Sequence, residues 1–578
     1  MMLRFTIRQC VVPVALLLFV LAGALPVSAQ GVSVTSADPN FGELDTASLN
    51  VRVKGKNFAQ GAVADFLLDD DTTGGITVNS TTFVSSTEVI ANVTIASGAS
   101  LTLFDIRVRN ANGRTGRGSD LFQVVEKGAR AGGACTPGDL PAGIVELARL
   151  NPSLGFALPT NTAIEMKTYA TTVNGVQTLL VAATSGPRVE VFFLTRDAGT
   201  GVLIDATNPH RTLTVSTTAT LADAIAIGDA NDDGTPDIVA ADPSRVVLFV
   251  GSRSVAGGPI SFGSGIPLVL TGAPTSYRRA MAMGNLESTA GDEIVVGQQG
   301  GKAGKTITPG ALTVFQLNGL SVTTLRKLVP TVTPALKYDD GYPRTVALAD
   351  VVGDGNLDII TAAASREVGS VTDAGEVWVF PGPFPTLNGA IDGASPIVLR
   401  ATVPTTADHL GSKVAIGDVF GIVDGGVDIL AATSWSNSQT RGEVFRSPFA
   451  PLTTPDSNFT FQPEPGTMAT GWATTGIDVG DINGDTYTDV VVGTPNAASS
   501  NACSNVGAVY IFLGNGAGGW RRLRMDPSTY NGTFNAYGWS VALGNLNGLR
   551  LLLVGEQGAD VNGVDSAGQV YVYRVDNP

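Results

Sequence analysis

Short apolar runs recur along residues 160–578, and successive runs are separated by a polar turn rich in Asp, Asn and Gly. Runs of about four to eight residues that are rich in β-branched and aromatic side chains are typical of strands. One copy reads AIAIGDANDDGTPDIVAAD and leads to a third run, RVVLFVG. The pattern therefore predicts a repeated unit of antiparallel strands over most of the chain.

Seven copies of this unit align on their polar turns. The turns begin at Thr171, Asp229, Asn285, Asp350, Asp418, Asp481 and Asn545. Successive copies are 58, 56, 65, 68, 63 and 64 residues apart, which is long enough for a four-stranded sheet in each copy. Seven such sheets placed radially form a seven-bladed β-propeller, an all-β fold that leaves only short strand edges exposed. An open solenoid is the alternative, but it would need capping repeats, and the sequence shows none.

The seventh copy lacks an outer strand. SPIVLRAT follows the fourth copy and WRRLRMDP follows the sixth, whereas the seventh ends at QVYVYRVDNP. The best candidate for the missing strand is GIVELARL, residues 143–150. Its pairing with the last copy would remove an exposed edge and tie both ends of the ring together. We therefore predict a strand over residues 144–150.

Residues 31–126 have a different pattern. SLNVRVKGKNF, ITVNSTTFVSSTEVIANVTI and LFDIRVRNANGRTGRGSDLFQVV alternate polar and apolar residues between Gly, Asn and Ser turns, which indicates a β-sandwich. The succession of PNFG, VRVKGKNF and FDIRVRNANGRTG resembles the IPT/TIG family of immunoglobulin-like domains. Residues 127–143 are rich in Gly and Pro and are predicted to be a linker to the propeller, which we place at 144–578.

The repeats resemble FG-GAP repeats, the units of the integrin α-subunit propeller and of many bacterial secreted proteins. YGWSVALGNLNG with LLLVGEQG and GQVYVYRV, and DINGDTYTDVVVGTP with GAVYIF, carry this resemblance. It implies a seven-bladed propeller with a role in adhesion or binding. The chain departs from integrin chains in having no leg domains, no membrane span and no inserted ligand-binding domain, so we do not expect the full integrin role.

The first 29 residues are typical of a signal peptide, with a basic start, the apolar core VVPVALLLFVLAGAL and small residues before an expected cut after Ala29. A transmembrane anchor is the alternative, but Pro13 and Pro26 interrupt and close the short core. We therefore expect a protein that is secreted, held at the cell surface or located in the periplasm, with no transmembrane anchor after signal cleavage.

Cysteine usage agrees with export. Cys10 leaves with the signal, and Cys135 and Cys503 remain. Two cysteines in an exported chain suggest one disulfide, and two isolated thiols are the alternative. A Cys135–Cys503 bridge would clamp the ring, because Cys135 shortly precedes residues 144–150 and Cys503 lies in the variable loop of the sixth copy.

The turn of the second copy carries closely spaced oxygen ligands. Positions 1, 3, 5 and 9 are Asp229, Asn231, Asp233 and Asp237. Alternate side chains in a tight turn converge on one point, and Gly234 permits the sharp bend. Calcium takes about six to eight oxygens from carboxylates, amides and backbone carbonyls, and Thr235 offers its carbonyl at position 7. The turn predicts a calcium site whose cation offsets the repulsion among the carboxylates; a solvated acidic turn is the alternative.

The other copies keep this pattern to different degrees. The sixth turn repeats it with Asp481, Asn483, Asp485, Tyr487 and Asp489. The fourth keeps Asp350, Asp354 and Asp358, with Val352 in place of the third ligand, and the fifth keeps Asp418, Asp424 and Asp428 around a two-residue insertion. The third, with Asn285, Glu287 and Glu293, is weaker, and the first and seventh have lost the carboxylates. We expect two Ca²⁺ sites and two further candidates that reinforce the sheets.

The net charge and the absence of several motifs exclude some classes of partner and of active site. With 36 Lys and Arg against 51 Asp and Glu, the net charge of −15 argues against nucleic acid as a partner. Only His210 and His409 are present, which excludes a three-histidine zinc centre. The sequence has no G-x-S-x-G motif, and GQQGGKAGKT lacks the helix that a phosphate loop requires.

We therefore predict a calcium-stabilised binding or adhesion protein that is non-catalytic, with a protein or glycan ligand outside the cell. The alternative is a propeller-based lyase or hydrolase that acts on polysaccharides, or its glycan-binding accessory. Paired carboxylates can run such chemistry, but the repeat accounts for nearly every clustered carboxylate of this chain.

Overall fold

The computed structural model describes two compact units, divided between residues 129 and 130. The described residues are 31–38, 41–68, 72–100, 103–125, 140–151, 165–197, 201–204, 210–216, 222, 224–270, 280–287, 290–303, 306–384, 390–392, 395–401, 403–419, 426–433, 442–447, 460–461, 476–495, 497, 506–515, 520–527, 536–559 and 568–576. Every regular element among them is a β-strand, which confirms the all-β prediction. None of these residues belongs to a helix that could span a membrane.

The first unit has two four-stranded sheets that share one core. One contains β1 (Ser33–Asp38), β3 (Thr46–Lys56), β6 (Glu88–Ile95) and β5 (Ile76–Ser85), in that order, and the other β2 (Phe41–Glu43), β8 (Thr115–Val125), β7 (Leu103–Arg109) and β4 (Val63–Leu67). Buried residues alternate along β3 and β6, so each sheet turns one face inward. Phe66 and Phe122 meet edge to face in this core, with ring centroids 4.9 Å apart. This is the arrangement of a β-sandwich.

In the second unit, β9 (Ile144–Leu150) precedes seven sheets whose consecutive strands pair antiparallel. The first three sheets contain β10 (Met166–Val173), β11 (Val176–Ser185), β12 (Arg188–Asp197), β13 (Gly201–Ile204) and β14 (Arg211–Thr214); β15 (Ala224–Gly228), β16 (Asp237–Asp242), β17 (Arg245–Phe249) and β20 (Ile266–Leu268); and β21 (Met281–Gly284), β22 (Glu293–Gln298), β25 (Ala311–Asn318) and β26 (Ser321–Leu328). Two short hairpins accompany them: β18 (Gly251–Arg253) with β19 (Ile260–Phe262), and β23 (Gly301–Ala303) with β24 (Thr306–Thr308).

The remaining four sheets follow in chain order. They contain β27 (Val346–Ala349), β28 (Asp358–Ala363), β29 (Glu376–Phe380) and β31 (Ile397–Leu399); β32 (Lys413–Gly417), β33 (Asp428–Ala432), β34 (Gly442–Phe445) and β35 (Thr460–Phe461); β36 (Gly476–Gly480), β37 (Asp489–Thr494), β38 (Ala508–Gly514) and β39 (Trp520–Met525); and β40 (Tyr537–Leu546), β41 (Leu549–Glu556) and β42 (Gln569–Val575). One strand crosses between neighbours, since β30 (Ala390–Asp392) joins the third sheet by pairing parallel with β26.

The first strands of the seven sheets contact one another in a ring. Strand β10 contacts β15, and the series continues through β21, β27, β32 and β36 to β40, which contacts β10 again. Both faces of each sheet pack on a neighbour, and for this reason second strands such as β16 and β37 are buried along their whole length. One apolar cluster, for example, joins Leu180 and Phe193 of the first sheet to Ile225 and Ile238 of the second.

Strand β9 completes the seventh sheet. It pairs antiparallel with β42, from Leu150 opposite Val570 to Ile144 opposite Val575. This confirms the predicted strand over residues 144–150. The predicted signal peptide, most of the predicted linker and both Cys135 and Cys503 lie outside the described residues, so the signal and the disulfide stay predictions.

We expect Leu150→Ala to lower the free energy of unfolding by about 2–5 kcal/mol, because the side chain is 1% exposed and packs between the first and seventh sheets. Denaturant titration measures this. Val145→Ala is the matched control on the same strand: Val145 is 39% exposed, and we expect a change of about 0.5 kcal/mol or less. Equal losses in both variants would contradict the packing role of β9.

Candidate functional site

The acidic turns occupy the equivalent place in five sheets, between the first and second strands. In the second sheet, Gly228 at the end of β15 pairs with Asp237 at the start of β16. The matching pairs in the other sheets are Gly284 with Glu293, Ala349 with Asp358, Gly417 with Asp428, and Gly480 with Asp489. The repeat therefore fixes the last carboxylate of each turn on the first residue of a buried strand; it is the ninth residue in four turns and, because of the insertion, the eleventh in the fifth. We call it the ninth-position carboxylate in all five. Asp424 lies outside the described residues.

This ninth residue is a carboxylate that holds two backbone amides. It is fully buried in all five sheets. Asp237 accepts the N–H of Ala230 on Oδ2 at 2.8 Å and the N–H of Gly251 on Oδ1 at 2.6 Å. The same two bonds recur from Val351 and Gly382 to Asp358, from Val419 and Ser447 to Asp428, and from Ile482 and Gly514 to Asp489. Each of these four carboxylates thus ties the start of its turn to the end of the third strand, whereas Glu293 accepts the N–H groups of Leu286 and Glu287 at the start of its own turn.

Burial is costly for these carboxylates. It raises the pKa of Asp237 to about 7 and that of Asp489 to about 6, and the accepted N–H bonds oppose the shift. Sequence reasoning predicted the ninth residue as a metal ligand and missed this backbone role. One signal was available: the third turn keeps Glu293 although it has lost most other ligands, and Glu293 accepts the N–H of Leu286 at 2.7 Å.

The first, third and fifth residues of the second turn lie together. Asp229 Oδ1 and Asn231 Oδ1 both accept the N–H of Asp233, at 3.1 and 3.2 Å, so these two oxygens converge. Asn231 Nδ2 in turn donates to Asp233 Oδ2 at 2.9 Å. Burial raises the pKa of Asp229, and the N–H groups of Gly234 and Asp233 oppose that shift. Three of the four predicted side-chain ligands are therefore brought into mutual contact.

The sixth turn reproduces this geometry. Asn483 Nδ2 donates to Asp485 Oδ2 at 2.8 Å, and the N–H of Asp485 donates to Asn483 Oδ1 at 3.0 Å. The backbone matches as well, because the fourth and sixth positions have positive φ in both turns: Asp232 and Gly234 in one, Gly484 and Thr486 in the other. The two turns that sequence analysis singled out thus share one conformation.

The donor chemistry of these turns fits a hard cation, since carboxylate, amide and carbonyl oxygens are the ligands that calcium prefers. In the described part of the chain, no three His, Cys, Asp or Glu side chains stand at metal-site spacing. The ninth carboxylate accepts backbone N–H groups, and the side chain at position 3 is an Asn carboxamide in both turns. A cation would therefore rest on positions 1, 3 and 5, a carbonyl and water. In the fourth turn only Asp350 and Asp354 remain in contact, through an N–H bond of 3.1 Å.

A second candidate site is a cavity of about 350 Å³, lined by the first strands of all seven sheets. We call it the central cavity. Ile227, Met283 and Leu348 give its wall an apolar part, and Glu165, Lys167, Lys413 and Asp478 give it a charged part. Apart from Glu165 and Lys167, which are two residues apart, these residues come from different repeats, and only the ring brings them together.

The charges of the central cavity are balanced. Lys413 Nζ lies 2.8 Å from Glu165 Oε1, so this ion pair joins the fifth sheet to the start of the first, which are not neighbours in the ring. Asp478 accepts the N–H groups of Val479 and Leu543, at 2.9 and 2.8 Å. Burial raises its pKa, and the positive charges of Lys167 and Lys413 act against that shift. Two ammonium groups thus face two carboxylates.

Two polar atoms of this cavity have unused hydrogen-bonding capacity. Within the described residues, Glu165 Oε2 and Ser540 Oγ are buried without a hydrogen-bond partner. The Ser540 residue is 2% exposed, and the Glu165 side chain is 12% exposed. A buried polar atom without a partner costs free energy, so a ligand that supplied the missing bonds would be favoured. Sequence analysis did not single out these residues, because neither lies in a recognisable motif.

Comparison with known protein families finds one match, which covers part of the chain. Residues 473–512 match the FG-GAP repeat, so the chain contains an FG-GAP repeat around β36 and β37. This supports part of the resemblance drawn from the sequence. No curated protein matches the chain.

Several solved structures have low similarity to the chain. An exotype rhamnogalacturonan lyase is 9% identical, with 94% of this chain and 91% of that one covered and a TM-score of 0.35. A Bacillus licheniformis rhamnogalacturonan lyase is 10% identical, with 94% and 90% covered and a TM-score of 0.33. A Penicillium chrysogenum α-L-arabinanase is 10% identical, with 61% and 92% covered and a TM-score of 0.37. At these values a shared fold is not established.

We expect Asp358→Asn to lower the free energy of unfolding by about 2–4 kcal/mol, because its amide nitrogen would face the N–H of Gly382 or of Val351 and leave it buried and unpaired. The loss should be the same in calcium and in chelator, as measured by denaturant titration in both. Asp354→Asn is the control in the same turn, with an exposed side chain and a small expected change. A loss seen only in calcium would assign Asp358 to the metal instead.

Proposed function

We propose that residues 144–578 form a seven-bladed β-propeller that binds a neutral sugar residue in its central cavity, and that calcium in the acidic turns reinforces the ring. The closed series of first-strand contacts and the pairing of β9 with β42 support the architecture. The observation that carries the binding role is the pair of unpartnered atoms, Glu165 Oε2 and Ser540 Oγ, in one cavity.

The chemistry of the cavity favours an uncharged, hydroxyl-rich ligand. Its two ammonium groups and two carboxylates already balance, so a net charge on the ligand would remain uncompensated. A sugar hydroxyl both donates and accepts, as Glu165 and Ser540 together require. The apolar part of the wall suits the C–H face of a sugar ring, and about 350 Å³ is within the range of small-molecule pockets.

We place this binding outside the cell, at the cell surface or in the periplasm, because of the signal-peptide pattern of residues 1–29. The partner is then a glycan of the cell surface or the surrounding medium. The first unit, with its IPT/TIG-like sequence pattern, accompanies the propeller. A protein ligand is the other outcome that a binding screen can reveal.

Calcium should stabilise the fold, because a ligand that binds only the folded chain adds about 2.7 kcal/mol per site at a hundredfold excess over its Kd. We expect chelation to lower the Tm and added calcium to restore it, as followed by calorimetry. Asp233→Ala should remove part of this shift. Asn545→Ala, in the seventh turn that lacks carboxylates, should leave it unchanged. Identical melting curves in calcium and chelator would rule out the metal.

Binding of neutral sugars should depend on the cavity residues. We expect the wild-type protein to bind neutral glycans on an array. In Lys167→Met, the Kd measured by calorimetry should weaken about tenfold or more, since hydrogen bonds to charged groups contribute about 1.5–3 kcal/mol. Ser540→Ala should weaken binding less. Lys337→Met is the control, because Lys337 is an exposed lysine paired with Glu367 on the surface. Wild-type protein that binds only proteins or acidic glycans would refute the sugar site.

A polysaccharide-acting enzyme is the second candidate. Two carboxylates, Glu165 and Asp478, line one cavity, and the raised pKa of Asp478 is a feature of acid–base groups. Chromatography of glycans after incubation with the protein would reveal cleavage, and Asp478→Asn should abolish it while binding persists. A glycan that binds and is not cleaved would contradict the enzymatic role and support the binding role.

A further inference from the structure

The two complete acidic turns differ in the charge of a neighbouring side chain, which is positive beside the sixth turn and negative beside the second. Beside the sixth turn, Arg550 of β41 places Nη2 2.8 Å from Asp481 Oδ2. Beside the second turn, the neighbouring group is Asp292, whose Oδ2 accepts the N–H of Asp229 at 2.8 Å. We infer that Arg550 is a built-in cation of the sixth turn, which leaves the second turn as the tighter calcium site. This inference rests on the proposed calcium binding.

The guanidinium contacts the carboxylate that is the first predicted metal ligand of the sixth turn. Asp481 already accepts the N–H of Gly484 on Oδ1 and that of Thr486 on Oδ2, at 2.6 and 3.0 Å. A Cβ added to Gly484 would lie 3.3 Å from Arg550 Nη1, so the guanidinium also lies against the backbone of the turn. A cation that uses Asp481 must therefore displace Arg550 or share the carboxylate with it.

The guanidinium is a cationic group that Asp481 of this turn already holds. The ion pair is only partly exposed, with side-chain exposures of 32% for Arg550 and 17% for Asp481. Such a pair is screened less by solvent than a surface pair. The seventh copy has lost its own carboxylates, and Arg550 of that copy instead contributes a charge to its neighbour.

The charges of the two turns differ accordingly. The second turn has Asp229, Asp232, Asp233 and Asp237, with Asp292 beside it. The sixth has Asp481, Asp485 and Asp489, with Arg550 beside it. A divalent cation is attracted more strongly to the second set, because the positive charge of Arg550 offsets part of the attraction of the sixth. Sequence alone gave the two turns equal rank, since Arg550 lies 69 residues after Asp481 in a different repeat.

Terbium luminescence on the full chain tests this, with calcium competition to give affinities. Each turn has a sensitising tyrosine. Tyr487 is in the sixth, and Tyr169 lies near the second: burial raises the pKa of Tyr169, and the charge of Asp229 adds to that shift. Asp485→Ala leaves the second turn and Asp233→Ala leaves the sixth. We expect calcium to bind the Asp485→Ala protein at least tenfold more tightly than the Asp233→Ala protein.

Removal of the guanidinium is the decisive step. In the Asp233→Ala background, Arg550→Gln should tighten calcium binding at least tenfold, whereas Arg550→Lys, which keeps the charge, should not. Arg574→Gln is the matched control, because Arg574 pairs with Asp576 away from the turns. Calcium binding that is unchanged by Arg550→Gln would overturn this inference and leave the calcium proposal standing. No cation binding in any variant would overturn both.

Discussion

Both faces of every sheet in the second unit are apolar, and this constraint governs the rest of the structure. A sheet that is buried on two faces is stable only between two others, so the sheets must continue until the last one meets the first. The first sheet meets this requirement on both sides, because β10 contacts β15 of the second sheet and β40 of the last. An outer edge remains exposed on the final sheet unless another strand covers it, and β9 does so.

Within this frame, the acidic turns combine two separate tasks. The ninth carboxylate belongs to the fold, because Asp237, Asp358 and Asp489 each hold amides from two parts of the backbone. The first, third and fifth residues belong to the turn surface, where they contact one another and solvent. Loss of a surface ligand, as at Val352, leaves the ninth carboxylate in place. This division accounts for the third, fourth and fifth turns, which keep this carboxylate although they have lost surface ligands.

The sequence predicted the strands, the seven repeats and the strand over residues 144–150, because each rests on a local pattern or on the absence of a partner in the last copy. It predicted the shared conformation of the second and sixth turns for the same reason. It did not predict the central cavity, since Glu165, Asp478 and Ser540 meet only after the ring has formed. It also missed Arg550 beside Asp481, because spacing within one repeat says nothing about a side chain from the next.

The pairing of β9 with β42 also determines when the seventh sheet can be completed during folding. Leu150 pairs with Val570, a residue 420 positions later, so the seventh sheet cannot be completed before β42 has been synthesised. Contacts of such long range are slow to form, and the entropy of closing so large a loop must be met by the whole set of sheets. Until then β9 has no partner strand, and an unpaired strand edge can pair with other chains. A product of incomplete translation would keep that strand unpaired, which gives quality control a feature to recognise.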